Sequence, residues 1–139
     1  MNYWLVKSEP VKYSWDKFVE EKQTFWDGVR NYQARNNLKE MKKNDLILFY
    51  HSNVGMEVVG IAKVAKEFYQ DPTTDDERWV VVDLKAFQPL KKSVTLEEIK
   101  KIEDLKEIGL VKQSRLSVMP LNKMEFDYIL HLGNTKLKK

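Results

Sequence analysis

The sequence predicts a single α+β domain, on three observations. Short apolar runs of strand length and amphipathic stripes of helix length follow one another irregularly, without the repeating strand-helix-strand order of a parallel sheet. At 139 residues the chain lies well below the roughly 250 at which single cores usually split. Its 42% hydrophobic residues are enough to fill one core, and neither internal repeats nor linker-like stretches interrupt them.

Tyr3 to Val6 is aromatic and branched, and Pro10 follows it, which reads as a buried first strand. Ser14 is placed to cap a short helix that ends near Gln23, with Asp16 at its positive end and Trp15, Phe18 and Val19 on one face. After a loop at Asp27-Gly28, a second helix is expected from about Tyr32 to Lys43, with a thin inward stripe of Ala34, Leu38 and Met41. Leu46 to Tyr50 and Val58 to Val64, joined by a turn at Ser52 to Gly55, form an antiparallel pair. A polar loop from Gln70 to Glu77 leads to a strand from Trp79 to Phe87, where Val80, Val82, Leu84 and Ala86 alternate with more polar neighbours.

Thr95-x-x-Glu98 has the spacing of a capping box, ahead of a stripe of Leu96, Ile99 and Ile102, and Gly109 is the expected stop for this region. Arg115 to Met119 reads as extended and bounded by Pro120. Asn122-x-x-Glu125 opens a last helix bearing Phe126, Ile129 and Leu130, which Gly133 ends. The domain thus spans residues 1–134, with a frayed basic tail at 135–139.

Composition narrows the function. With no cysteine, disulfides, Cys-ligated zinc, iron-sulfur clusters and thiol nucleophiles are excluded. No apolar run approaches the roughly 18 to 20 residues that cross a bilayer, and the first residues do not read as a signal peptide. An intracellular protein is expected, cytoplasmic or, in a eukaryote, nuclear, and monomeric. Twenty-four Lys and Arg against 21 Asp and Glu leave a net charge of +3, a mild bias toward an anionic partner.

Catalytic signatures are missing. No phosphate-binding loop, dinucleotide-binding turn or nucleophile elbow occurs, and the two histidines, His51 and His131, have no cysteine to complete a metal site. The acidic run Asp75-Asp76-Glu77 reads as a solvated loop. Neither a metal nor a cofactor is expected.

Polar and aromatic residues stand instead where core building would not choose them. Lys7-Ser8-Glu9-Pro10 fixes polar groups at a strand end. Trp26 to Asn36 joins two aromatics, Arg30, Arg35, Asn31 and Asn36 in one loop entering a helix. Rings there can stack on a base, guanidiniums hold phosphate and amides bond a base edge, or the segment is a solvated helix face with Trp26 in the core. Tyr50-His51-Ser52-Asn53 ends an apolar strand in four hydrogen-bonding side chains, where His51 either reads a base edge or bonds nearby backbone. Arg115-Leu116-Ser117 poses the same choice between phosphate and a surface carboxylate.

The stretches that hold these groups, Tyr3 to Pro10, Trp26 to Asn36, Phe49 to Asn53 and Arg115 to Val118, together with Val59-Gly60-Ile61-Ala62 and Tyr69-Gln70-Asp71-Pro72-Thr73, resemble the EVE domain family over almost the whole chain. Gln70 departs from the proline more often expected at that place. The resemblance implies a PUA-like fold, a small curved β-barrel flanked by helices. It also implies a non-catalytic reader that receives an extruded modified base, methylated or hydroxymethylated cytosine in DNA first and a modified RNA base second. The implied pocket has Trp26 as stacking wall, Ser8, Asn31, Asn36 and His51 as edge readers with Ser52 and Ser117 beside them, and Lys7, Arg30 and Arg115 toward phosphate.

Two alternatives stay open. Lys7, Glu9, Asp27 and His51 in the matched segments suit a nuclease or nucleobase-modifying hydrolase on the same scaffold. The modest charge and the many aromatics suit a protein-interaction or small-ligand module.

Overall fold

The structure is a computed structural model that describes residues 1–138. Six strands form one mixed sheet in the order β2-β5-β4-β3-β1-β6. The strands are β1 Tyr3–Ser8, β2 Gln23–Phe25, β3 Leu46–His51, β4 Glu57–Gln70, β5 Val80–Thr95 and β6 Val118–Leu121. The helices are α1 Trp15–Glu21, α2 Tyr32–Glu40, α3 Leu96–Lys100, α4 Gly109–Lys112 and α5 Lys123–Leu132. The α+β class expected from the sequence is therefore the one observed.

β1 pairs in parallel with β3, from Tyr3 opposite Leu46 to Ser8 opposite His51, and antiparallel with β6. All other pairings are antiparallel. β4 and β5 are much longer than the sequence suggests, 14 and 16 residues, and the register between them slips at four places. Each slip bends and twists the strands, so the sheet curls. The curl brings the two ends of the sheet toward one helix: α2 packs on β6 at one end and on β4 and β5 at the other, and the Asn37 amide donates to the Val118 carbonyl at 2.7 Å. Among the described residues β2 and β6 are not paired with each other, so the barrel is curled and flanked by helices without being closed.

The helix starts follow local chemistry. The Ser14 hydroxyl accepts from the Lys17 amide at 3.1 Å, and Asn31 caps α2 by accepting from the Ala34 amide at 2.9 Å. Both halves of the capping boxes at Thr95/Glu98 and Asn122/Glu125 are present. α2 stops at Glu40, short of Lys43, because Met41 turns extended and the chain must enter β3. Gly109 begins α4 instead of ending a helix. Pro120 lies inside β6, exposed, on an edge strand where a missing N–H leaves no ladder bond unmade.

The expected frayed tail is tied to β5. Thr135 is buried and accepts from the Lys91 amide at 2.9 Å, and the Gln88 side chain bonds the Lys136 carbonyl and the Lys138 amide, each at 2.9 Å. Lys139, the last residue of that tail, lies outside the described residues. No helix is long and apolar enough to cross a membrane among the described residues.

The core next to the site is aromatic. Phe18 stacks on Phe49 with ring centroids 5.4 Å apart, and Trp15 and Trp26 meet Phe49 edge-on at 5.3 and 5.6 Å.

Candidate nucleic-acid interface

The end of β1, the segment that runs from β2 toward α2, and the approach to β6 converge on a cleft of about 450 Å³. That lies within the roughly 300 to 1,000 Å³ of small-molecule sites. Lys7, Ser8, Trp26, Arg30 and Ser117 all line it, and Glu9, Tyr13 and Phe25 join them.

Trp26 is 8% exposed, so it is core and cleft wall at once. Its amide donates to the Val82 carbonyl at 2.8 Å, which continues the β2–β5 pairing, and Tyr13 stands edge-on to it at 6.1 Å. The Ser8 hydroxyl donates to the Tyr13 carbonyl at 2.6 Å, leaving its oxygen lone pairs as acceptors. Tyr13 donates to Glu21 at 2.7 Å; burial and that carboxylate push its hydroxyl up to about 12, so it stays protonated.

Two cations flank the cleft. The Lys7 ammonium donates to the Ser114 carbonyl at 2.8 Å, and partial burial holds it below the ordinary lysine value. Arg30 donates through Nη1 to Asp71 Oδ2 at 3.0 Å and to the Val29 carbonyl at 3.1 Å, while its guanidinium lies 5.6 Å from the centre of the Trp79 ring. Asp71 is fully buried and escaped the sequence reading as a site residue, although its loop carried part of the family resemblance. Burial by itself would raise the Asp71 carboxyl, but bonds from the Thr73 hydroxyl and amide, Arg30 and the Gly28 amide outweigh it and hold the group below its ordinary value.

The remaining sequence candidates lie elsewhere. His51 is outside the cleft: its Nε2 accepts from the Trp15 amide at 3.0 Å, so it holds the start of α1 against the end of β3. Burial lowers its pKa, and the Glu57 and Asp16 carboxylates offset only part of that. Ser52 is beside Ser8 through a backbone bond of 2.9 Å and does not reach the cleft. Asn31 spends its carbonyl oxygen on the α2 cap and, with Arg115, Gln33 and Lys112, borders a second, polar hollow of about 300 Å³. Asn36 is exposed on α2 and accepts from Arg35.

Residues 2–132 match the EVE domain family. The chain belongs to that family. Mouse thymocyte nuclear protein 1 is 40% identical, aligned over 97% of this chain and 75% of its own length. A crystal structure of a protein from Agrobacterium tumefaciens superposes with a TM-score of 0.95 at 41% identity, covering 97% of this chain and 94% of that one. Human THYN1 protein, solved in complex with DNA containing 5-methylcytosine, superposes on this EVE domain with a TM-score of 0.90 at 33% identity, covering 99% and 100% of the two chains. The curled, open sheet is thus the PUA-like architecture of the family.

Proposed function

We propose that this EVE domain binds nucleic acid carrying a modified base, with methylated or hydroxymethylated cytosine in DNA as the leading ligand, and seats the extruded base in the Trp26 cleft without turnover. The observation that carries the reading is the meeting of Lys7, Ser8, Trp26, Arg30 and Ser117, from three separate segments, around one hollow. The human relative solved with 5-methylcytosine DNA supports the same ligand class. In this reading Trp26 is the wall, Ser8 and Ser117 meet the base edge, and Lys7 and Arg30 meet phosphate. Arg115 and Asn31 extend the polar rim through the neighbouring hollow, Asn36 is a solvent-side contact, and His51 and Ser52 hold the strand ends in place. The ligand puts the protein inside the cell, and in the nucleus where there is one.

Magnitudes set the expected behaviour. Extruding a base costs a few kcal/mol and stacking returns roughly 1 to 3 kcal/mol, so phosphate and edge contacts supply the rest. A methyl group in an apolar niche discriminates by about 10 to 200-fold, and sharper preference needs a bond to a polar modification. Turnover has little support from the side chains: His51 Nε2 is engaged outside the cleft, and Glu9 is bonded to Asn53 at 2.6 Å and paired with Lys12 at 3.2 Å.

Anisotropy titrations of plain, 5-methylcytosine and 5-hydroxymethylcytosine duplexes, and of RNA counterparts, at several salt concentrations test the proposal. Tighter binding to a modified duplex, weakening with salt, is expected. Absence of binding to every oligonucleotide rejects the reading in favour of a protein or small-ligand module. Strand cleavage or base alteration on incubation with divalent metal rejects it in favour of an enzyme.

A further inference from the structure

We infer that a stack of two rings and three guanidiniums beside the cleft seats the phosphodiester strand that carries the bound base. This rests on the reading of the cleft as a base site. Tyr32, at the start of α2, and Trp79, just before β5, stack with centroids 5.2 Å apart and planes 25° from parallel. Arg30 and Arg78 lie 5.6 and 5.8 Å from the Trp79 centroid, and Arg35 lies 5.0 Å from that of Tyr32. Arg78 Nη1 donates to the Tyr32 hydroxyl at 3.1 Å, and Arg35 Nη1 to the Arg78 carbonyl at 3.4 Å. Arg30 belongs to the cleft lining as well, so the row begins at the cleft and leads away from it.

The row is open to solvent: Tyr32 is 53% exposed and the Arg78 side chain 61%. An exposed arginine normally loses rotamer freedom when it binds, whereas these are already ordered on the rings. A guanidinium has five N–H donors. Asp76 engages the Arg78 guanidinium only through Nε and Nη2, Asp71 engages that of Arg30 only through Nη1, and Arg35 has no ion pair among the described residues. Donors therefore remain for phosphate along the row. The commitment to a nucleic-acid strand comes from continuity: the same Arg30 serves the cleft and the stack, so a chain leaving the cleft by this route meets guanidiniums in succession.

The test is the salt dependence of binding to a 5-methylcytosine duplex and its unmodified twin, measured for Arg35→Gln and Arg78→Gln, with Lys101→Gln, just past the end of α3 and outside both the row and the cleft lining, as the control for net charge. Each arginine variant is expected to flatten the slope of log K against log salt by about 0.9 and to weaken both duplexes by the same factor. Circular dichroism checks folding, and Arg35→Gln carries the test if the loss of the Asp76 pair unfolds Arg78→Gln. Slopes equal to that of Lys101→Gln, in a protein that still prefers the modified duplex, overturn this inference and leave the cleft reading intact. A variant that loses preference with its slope unchanged overturns it too. If the unaltered protein binds no oligonucleotide, the cleft reading falls and takes this one with it.

Discussion

Asp71, without exposed surface, holds Arg30 by a 3.0 Å bond through the same Oδ2 that accepts the Gly28 amide at 3.3 Å. Its Oδ1 accepts the Thr73 amide at 2.7 Å and the Thr73 hydroxyl at 2.5 Å. One carboxylate therefore fastens the loop after β4 to the edge of the cleft. Gly28 meets it with φ of +77°, a left-handed backbone that suits glycine.

Asp71→Asn is expected to cost about 1 to 3 kcal/mol of stability, at the low side because Arg30 is partly in water. It is also expected to weaken modified-duplex binding, since Arg30 and the Gly28 turn lose their anchor. The carboxyl is held below its ordinary 3.8 in the fold, so its contribution is complete above 3.8 and fades as pH falls through the lower folded value. Urea midpoints of the two proteins should differ at pH 7 and converge in strong acid; an equal gap at both pH values contradicts the assignment.

Much of this was legible where the signal is local. Ser14, Thr95 with Glu98, and Asn122 with Glu125 are caps whose partners lie three residues away, and they appear as expected. The cleft members Lys7, Ser8, Trp26, Arg30 and Ser117 sat in segments whose composition was unusual for core or surface. Long-range consequences were not legible. β2 is three residues whose only strand signal is pairing with β5, and β5 runs through Pro89 because a register slip there places it opposite Gly60. His51 and Asp71 are told apart only by what folds against them: a backbone amide from α1 in one case, Arg30 in the other.

Gly60 is required by close approach. A Cβ at this position would lie 2.4 Å from the Trp15 ring, which packs edge-on against Phe49 in the wall of the core. Gly60→Ala is expected to destabilise by about 1 to 3 kcal/mol through overpacking. Thermal unfolding reads this directly, and an unchanged midpoint would mean that the ring moves aside without cost.

His51 makes a pH prediction with a definite sign. Its Nε2 accepts a hydrogen bond, which requires the neutral ring, and its folded pKa lies below the ordinary 6.5 because burial outweighs the Glu57 and Asp16 carboxylates. The unfolded chain thus takes up a proton first as pH falls, so stability is complete above 6.5 and declines below it. His51→Gln keeps an acceptor for the Trp15 amide and should lessen that decline between pH 7 and 5. A variant with an identical pH profile would assign the acid sensitivity to other groups.

Trp26 is the hardest residue to test because it belongs to both core and cleft. Trp26→Ala removes a buried indole, at a cost of about 3 to 5 kcal/mol, so weakened binding would report loss of fold as readily as loss of a wall. Trp26→Phe retains an aromatic against Phe49 and Tyr13 while shortening the surface offered to a base. The folded variant is expected to bind modified duplex more weakly, by a share of the roughly 1 to 3 kcal/mol that stacking supplies, with the salt slope unchanged because no phosphate contact is lost. If affinity and preference both survive, Trp26 is scaffold and the wall is another ring of the cleft. Phe25 is then the next candidate, 41% exposed on the same hollow, and Phe25→Ala carries no comparable burden of core packing.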